Sequence, residues 1–368
     1  MFKKYRLRNY NFKLFIFTIA LAIIGVLAVG SAEASLQQRQ LFGMLFGAFV
    51  MIVLSLLDYT FLLRFYWVIY IGEIIVLILV IILGERGNGA QRWIQILGIQ
   101  FQPSELCKIM VILCIAAFVN KHIEEFNSLK YFILCILVFA VPAGLVYIQP
   151  DLSTTIVLCL IFATIMFVAQ LSWKYIIGIF AVGIPIFVIL LYLIMQPDQQ
   201  IVNEYQKSRI MSFFNQEDSV NDEGYQQTYS VMAIGSGQLS GKGYKNNEIY
   251  SVKNADFIAE QQTDFIFAVI GEEFGFIGTC SVIVLIILIS LECFMIGFRA
   301  QDVAGRMIGA GVGAWIGFQG FINIGVVTYI LPNTGLPLPF VSYGLTSLIS
   351  TFVGIGFVLN VGLQCRES

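Results

Sequence analysis

Charge and histidine are what this chain has least of. Asp, Glu, Lys and Arg make up only 12% of 368 residues, and His122 is the single histidine. A soluble domain of this length carries roughly twice that charged fraction. No basic stripe lies on a soluble face, so nothing points to a nucleic-acid partner. The net charge of −2 says little in such a chain. Seven cysteines are present (Cys107, Cys114, Cys135, Cys159, Cys280, Cys293 and Cys365), nearly all inside apolar runs and without metal-ligand spacing. They read as small buried hydrophobes, with no disulfide and no zinc site. An internal repeat is also lacking, which weakens a transporter built from repeated halves.

What the chain does have is hydrocarbon. It is 58% hydrophobic with mean hydropathy +0.84. Apolar runs near the ~20 residues needed to cross a bilayer recur along it. Spans are expected near 14–31, 39–57, 65–84, 104–120, 131–148, 152–170, 174–196, 264–297, 306–330 and 340–362. The expected fold is a single all-α polytopic membrane domain over 1–368, with about ten transmembrane helices and one long loop at about 197–263. Lys3, Lys4, Arg6, Arg8 and Lys13 precede a run ending Gly-Ser-Ala-Glu-Ala-Ser, a pattern shared with signal peptides. The run is long and many spans follow, so it reads as an uncleaved first span.

Orientation follows from the distribution of cations. With the N-terminus inside, Arg64, Lys121, Lys130, Lys174, Arg299, Arg306 and Arg366 join the N-terminal cluster on the inner face. Short outer loops keep only Arg39, Arg86 and Arg92. Both termini are then cytoplasmic, and 197–263 is extracytoplasmic. His122 falls on the inner face, so proton transfer on the outer face must use carboxylates.

Prolines and polar residues gather on that outer face. Pro103, Pro150, Pro197, Pro332, Pro337 and Pro339 all fall there, whereas Pro142 and Pro185 lie inside spans. Irregular backbone at membrane depth is tolerated where it is buried in protein or lines a wet cavity. Several such segments on one face suggest a cavity open to the outside. Four constellations lie there.

The first is Gly89-Ala-Gln-Arg92-Trp-Ile, followed by Gln102-Pro-Ser-Glu105-Leu-Cys-Lys108. Glu105 and Lys108 either form an internal i,i+3 pair, or Arg92 and Lys108 face an anionic ligand such as a pyrophosphate. The second is Gln149-Pro150-Asp151, where Asp151 either caps a helix or faces the cavity. The third, Pro332 to Gly344 with Ser342, is almost uncharged and more suited to shaping a cavity than to moving protons. The fourth is Glu260-Gln-Gln-Thr-Asp264, opening a long apolar helix, with Glu272 and Glu273 about two turns deeper, where charge by default suggests function. The helix dipole holds Asp264 ionised while partial burial opposes it, a balance that suits a general base. A helix-stabilising Asp is the plain alternative. Glu272 and Glu273 could instead be partners of an intramembrane cation.

Two further features belong to other regions. The stretch Gly235-Ser-Gly-Gln-Leu-Ser-Gly-Lys242-Gly could offer N–H groups and a cation to an anion, but it lacks Walker A spacing. Apolar residues from Tyr229 to Ile234 suggest a short interfacial helix. Gly305, Gly309, Gly313 and Gly317 form a small-residue ridge, either for internal packing or for a partner helix.

Together these segments resemble the SEDS family, the RodA, FtsW and SpoVE proteins of bacterial envelope synthesis. The resemblance runs over nearly the whole chain and rests on GAQRWI at 89–94, QPSEL at 102–106 with Lys108, QPDL at 149–152, AIGSGQLSGKG at 233–243, TDFIFAVIGEEFG at 263–275 and INIGVVTYILPNTGLPLPFVSYG at 322–344. Leu345 stands where a second Gly often follows SYG, and Asn333 replaces a commonly apolar residue. Both departures concern local loop geometry.

The resemblance implies a peptidoglycan glycosyltransferase of the bacterial plasma membrane. It would polymerise lipid II onto a nascent glycan strand beside a class B penicillin-binding protein that cross-links the product, in elongation or division, with a RodA-like elongation role favoured. It places the essential carboxylate at Asp264. Around it, Arg92, Lys108, Arg209 or Lys242 would stabilise the pyrophosphate. Glu105, Asp151 and Ser342 join the candidate substrate contacts. Glu260 would position the acceptor or, with Asp264, a divalent cation such as Mg or Mn. No organic cofactor is called for. The rival readings are a flippase for the same lipid-linked precursor and a non-catalytic scaffold for a transpeptidase.

Overall fold

The computed structural model describes residues 10–87, 90–96, 99–175, 177, 178, 181, 185, 189, 213, 222–245 and 261–365. The elements are α1 (Phe12–Ala32), α2 (Gln37–Leu56), a short α3 (Tyr59–Leu63), α4 (Tyr66–Leu83), strands β1 (Glu85–Gly87), β2 (Ala90–Ile96) and β3 (Ile99–Phe101), α5 (Pro103–Lys121), α6 (Leu129–Ile148), α7 (Leu152–Val168), α8 (Asp222–Ser236), α9 (Ile266–Phe298), α10 (Val303–Val327) and α11 (Leu345–Gln364).

Eight of the described helices are long and apolar enough to cross a bilayer, and α7, at 17 residues, is a shorter apolar helix. The span expected at 174–196 lies largely outside the described residues, as do Arg209 and Glu260. Of the expected loop 197–263, only Phe213, 222–245 and 261–263 are described. Within it, α8 covers the apolar stretch expected to be helical.

Burial sorts the helices into a centre and a rim. In α5 and α11, 83% of the most apolar 18-residue window is buried, and in α10 72%; in α4 and α9 the figures are 22% and 28%. The rim helices turn large apolar side chains outward, among them Phe49, Ile82, Leu83 and Phe298. A water-soluble monomer rarely exposes so broad an apolar surface; hydrocarbon accepts it. The chain is a multi-pass membrane protein.

Local sequence explains the helix ends. Pro103 opens α5, where its missing N–H is no loss. Asp302 caps α10 by accepting from Gly305 N at 2.9 Å, and Asp151 caps α7 by accepting from Thr154 N at 3.2 Å. His122 terminates α5 on the expected inner end, its ring between Phe118 and Tyr131 at centroid distances of 4.8 and 4.7 Å.

In the stretch 85–101, read from sequence as an outer loop, the described residues form a three-stranded antiparallel sheet in the order β1-β2-β3. Glu85 pairs with Trp93, and Ile94 with Phe101.

The glycine ridge of α10 is internal. A Cβ at Gly309 would come 2.6 Å from the Gly297 Cα of α9, and one at Gly313 3.0 Å from the Ser290 carbonyl. Ser290 Oγ in turn donates to the Gly313 carbonyl at 2.8 Å. The ridge packs against α9, so of its two readings internal packing holds and the partner-helix alternative does not.

Helix α9 is broken. Gly275 has φ 62 and ψ −158 inside it. Residues 276–298 span about 35 Å at 1.5 Å per residue, enough by themselves to cross a ~30 Å hydrocarbon core. The segment Ile266–Gly275 is thereby free to lie within protein, and all of its residues except Phe274 are buried.

Candidate functional site

Asp264 sits in a turn, half-buried, two residues before the first residue of α9. The first turn of α9 holds no acidic residue, so Asp264 is not a first-turn helix stabiliser. Its backbone is fastened from two directions. Asn323 of α10 donates through Nδ2 to the Asp264 carbonyl at 2.8 Å and to the Leu336 carbonyl at 2.7 Å. Ser342 Oγ donates to the Thr263 carbonyl at 2.6 Å and accepts from Leu338 N at 2.7 Å. Tyr343 N donates to the Gln262 carbonyl at 2.9 Å. The uncharged loop 332–344 therefore shapes the surroundings of Asp264, as its composition suggested. Ser342 is 4% exposed and its hydroxyl is engaged within the protein, so it holds backbone here and does not present a substrate contact.

Three separate motifs meet at Asp151. Besides capping α7, its carboxylate accepts from Ser104 Oγ at 3.3 Å and Gln102 Nε2 at 3.4 Å, and Arg92 Nη1 lies 3.9 Å away. Arg92 also donates to the carbonyls of Gln149 (3.4 Å) and Pro150. The capping reading of Asp151 holds. At 2% exposure Asp151 is an internal hub. Arg92, with 15% of its side chain exposed, fastens the sheet to the turn between α6 and α7.

Lys108 departs from the expectation that it faces an anion. Its side chain is fully buried, with Nζ 2.7 Å from both Glu105 Oε1 and Gln319 Oε1 and 5.2 Å from the centre of the Trp315 ring. A cation so enclosed has its donors committed, and Glu105 is 1% exposed beside it. The internal-pair reading is the correct one, and neither residue is available as a surface ligand for a pyrophosphate. Gln319 extends the cluster: its Oε1 accepts also from Trp315 Nε1 at 2.7 Å, and its Nε2 donates to the Pro337 carbonyl at 2.8 Å.

The Gly/Ser/Lys stretch is likewise internal. The break in α9 frees carbonyls, and this stretch fills the gap. Lys242 N donates to the Glu272 carbonyl (2.9 Å), Gly243 N to the Glu273 carbonyl (3.0 Å) and Phe276 N to the Gln238 carbonyl (2.8 Å). A Cβ at Gly241 (φ 81) would stand 2.1 Å from the Glu273 carbonyl oxygen. Those N–H groups are spent on α9, so they do not form the suggested anion cradle. Lys242 Nζ pairs with Glu272 Oε1 at 2.8 Å, and Glu273 Oε1 accepts from Ser31 Oγ. Glu272 does have a cation as its structural partner, but that cation, Lys242, comes from outside the spanning helices and not from within one.

Sequence reasoning passed over three polar residues. Gln319 and Asn323 are amides one turn apart in an apolar span, and attention to charge alone hid them. Glu73 is an isolated acid in α4, 8% exposed with Oε1 unpartnered. It lines a cavity of about 310 Å³ with Gly72, Val76, Pro103, Leu106 and Met110. No residue proposed from sequence for the site lines that cavity. Among the described residues no three His, Cys, Asp or Glu side chains converge as a metal site.

Known proteins agree with this architecture. The family described as "Cell cycle protein", FtsW/RodA/SpoVE, matches residues 7–367. "Peptidoglycan glycosyltransferase MrdB" of Escherichia coli K12 is 33% identical over 350 residues, 93% of this chain and 90% of its own length. "Probable peptidoglycan glycosyltransferase FtsW" of Buchnera aphidicola is 31% identical over 99% of this chain and 93% of its own. Among solved structures, the rod shape determining protein RodA of Thermus thermophilus superposes with TM-score 0.70 at 25% identity, covering 98% of both chains. A chain from a study of "polymerization and crosslinking by a peptidoglycan synthase complex" superposes with TM-score 0.77 at 26% identity, covering 96% of this chain and 97% of that one. With the sequence match running from end to end and the same helical architecture, the chain belongs to the FtsW/RodA/SpoVE family.

Proposed function

We propose that this chain polymerises lipid II into glycan strands at the outer face of the bacterial plasma membrane, with Asp264 as general base. Its class is peptidoglycan glycosyltransferase, the activity for which its curated relatives are named. The observation that carries the residue assignment is the placing of Asp264: a half-buried carboxylate outside its helix, with its backbone fastened by α10 and the 332–344 loop.

The chemistry asks little of acid catalysis. A lipid-linked diphosphate leaves readily once its charge is balanced, so no carboxylic acid need protonate it, unlike the leaving group of a typical glycoside hydrolase. Asp264 takes the proton of the acceptor sugar's 4-hydroxyl. That oxygen bonds to the donor's anomeric carbon as the carbon–oxygen bond to the lipid diphosphate breaks, with inversion. Charge on the leaving group falls to the cations that keep some exposure, Arg92 and Lys242, and to Arg209. Glu260 would position the acceptor. With no protein cage of three ligands among the described residues, a divalent cation fits as Mg²⁺ is commonly held, by one or two carboxylates (Asp264, Glu260) and substrate phosphates. Such an ion would shield the diphosphate charge.

Both termini are assigned to the cytoplasm by the positive-inside rule. A class B penicillin-binding protein is the proposed partner, since a structural neighbour comes from a complex that couples polymerisation to cross-linking. The buried glycine ridge is not its docking face. The test is polymerisation of lipid II by the purified full chain beside Asp264→Asn, with and without Mg²⁺. Loss of product in the variant supports the base. Undiminished polymerisation removes it, and lipid translocation without polymer favours a flippase.

A further inference from the structure

Three consecutive carbonyls lead into Asp264, and each is taken by a donor from outside the segment: Gln262 by Tyr343 N, Thr263 by Ser342 Oγ and Asp264 by Asn323 Nδ2, at 2.9, 2.6 and 2.8 Å. Asn323 is 1% exposed. Its second N–H holds the Leu336 carbonyl at 2.7 Å. Gln319, one turn earlier, holds the next carbonyl, Pro337, at 2.8 Å. Two amides on one face of α10 thus seat the loop, and the loop together with Asn323 seats the acid.

We propose that Asn323 and Ser342 are positioning residues that set where the Asp264 carboxylate points; this rests on the reading of Asp264 as the base. Residues 262–264 lie in the turn that precedes α9, and the donors from α10 and the 332–344 loop hold their backbone there. A general base must come within about 2.6–3.2 Å of the proton it takes, and a displacement of about 1 Å can lower a rate 10²-fold. Neutral donors meet this need. An amide and a hydroxyl order the backbone without adding a charge beside the carboxylate, whereas a lysine in their place would oppose proton uptake. The buried cation Lys108 is linked to this loop through the neutral amide of Gln319.

The experiment uses the purified full chain and lipid II, comparing Asn323→Asp, Ser342→Ala, Ser342→Thr and Asp264→Asn. Asn323→Asp keeps the shape and removes both N–H donors. We expect its kcat to fall about 10- to 100-fold with KM for lipid II within about two-fold. Ser342→Ala falls less, about three- to ten-fold, and Ser342→Thr, which keeps the hydroxyl, recovers most of that loss. Amide hydrogen exchange should quicken over residues 262–268 in Asn323→Asp and stay unchanged over α11. Wild-type kcat in both Asn323→Asp and Ser342→Ala, with Asp264→Asn inactive, overturns the positioning role and leaves the base standing. Faster exchange throughout the bundle, or a loss carried mainly by KM, also overturns it. An active Asp264→Asn instead overturns the reading beneath it.

Discussion

Lys242 Nζ lies 2.8 Å from Glu272 Oε1 at the break in α9, joining a residue outside the spanning helices to one buried at 2% exposure. The same two residues are linked a second time, by Lys242 N to the Glu272 carbonyl at 2.9 Å. The backbone link survives side-chain substitution and the ion pair does not. Lys242→Met should therefore leave a buried carboxylate short of its cation, at a cost of about 1–3 kcal/mol, below the full value for a wholly buried pair because Lys242 is partly exposed. Adding Glu272→Gln should recover most of the loss. Thermal unfolding in detergent measures both, and a double variant no better than the single contradicts the pairing.

The break itself is testable. Gly275 has φ 62, and a Cβ there would stand 2.4 Å from Gly241 N and 2.8 Å from the Leu239 carbonyl oxygen. Gly275→Ala therefore meets both a disfavoured backbone and fixed backbone atoms, and should lower stability by more than about 1 kcal/mol. Pushing out the 237–243 stretch also uncovers the freed carbonyls of α9. We expect faster amide exchange at Lys242 and Gly243, whose N–H groups are now protected. A variant as stable and as protected as the parent would show that the stretch does not wedge the helix.

These cases mark what was legible in the sequence. Hydropathy finds the spans because bilayer thickness fixes their length, and Asp264 stands out because a carboxylate beside an apolar helix is rare. The strands at 85–101 were less visible, although Asn88-Gly89 is a strong hairpin dipeptide, because seven residues of β2 lack clean alternation. The partners of Lys108 and Lys242 were harder still. A cation among polar neighbours reads alike whether it awaits a ligand or is already paired, and only tertiary packing separates the two. Gly241 and Gly243 illustrate the same limit, since a flexible stretch that could cradle an anion serves equally to fill a broken helix.

Lys108 offers a sharper test of that distinction. As an internal pair with Glu105, it predicts that Lys108→Met destabilises by about 3–5 kcal/mol, because an uncompensated buried charge remains. Lys108→Met with Glu105→Gln removes both charges and should regain much of the stability. Were Lys108 a ligand for the diphosphate, the double variant would recover stability and still show a raised KM for lipid II. Unfolding and steady-state kinetics on the same preparations separate the outcomes, and we expect KM to follow the parent wherever the fold does.

Asp151 carries several structural tasks on two oxygens, and they can be divided. Oδ1 caps α7 at Thr154 N and faces Arg92, while Oδ2 accepts from Gln102 and Ser104. Asp151→Asn keeps an acceptor for the cap but places an amide where Oδ2 received two donors. Asp151→Ala removes everything and should cost about 1 kcal/mol for the cap and about 1–3 kcal/mol more, chiefly for the buried Ser104 hydroxyl left without its acceptor, with the half-buried Gln102 amide adding less. Asp151→Asn should fall between Asp151→Ala and the parent. Arg92 keeps its bonds to the Gln149 and Pro150 carbonyls in either variant, so the sheet should stay docked and amide exchange over 90–96 should change less than over 152–156. Exchange that instead rises first in β2 would mean that the ion pair, and not the carbonyl contacts, holds the sheet in place.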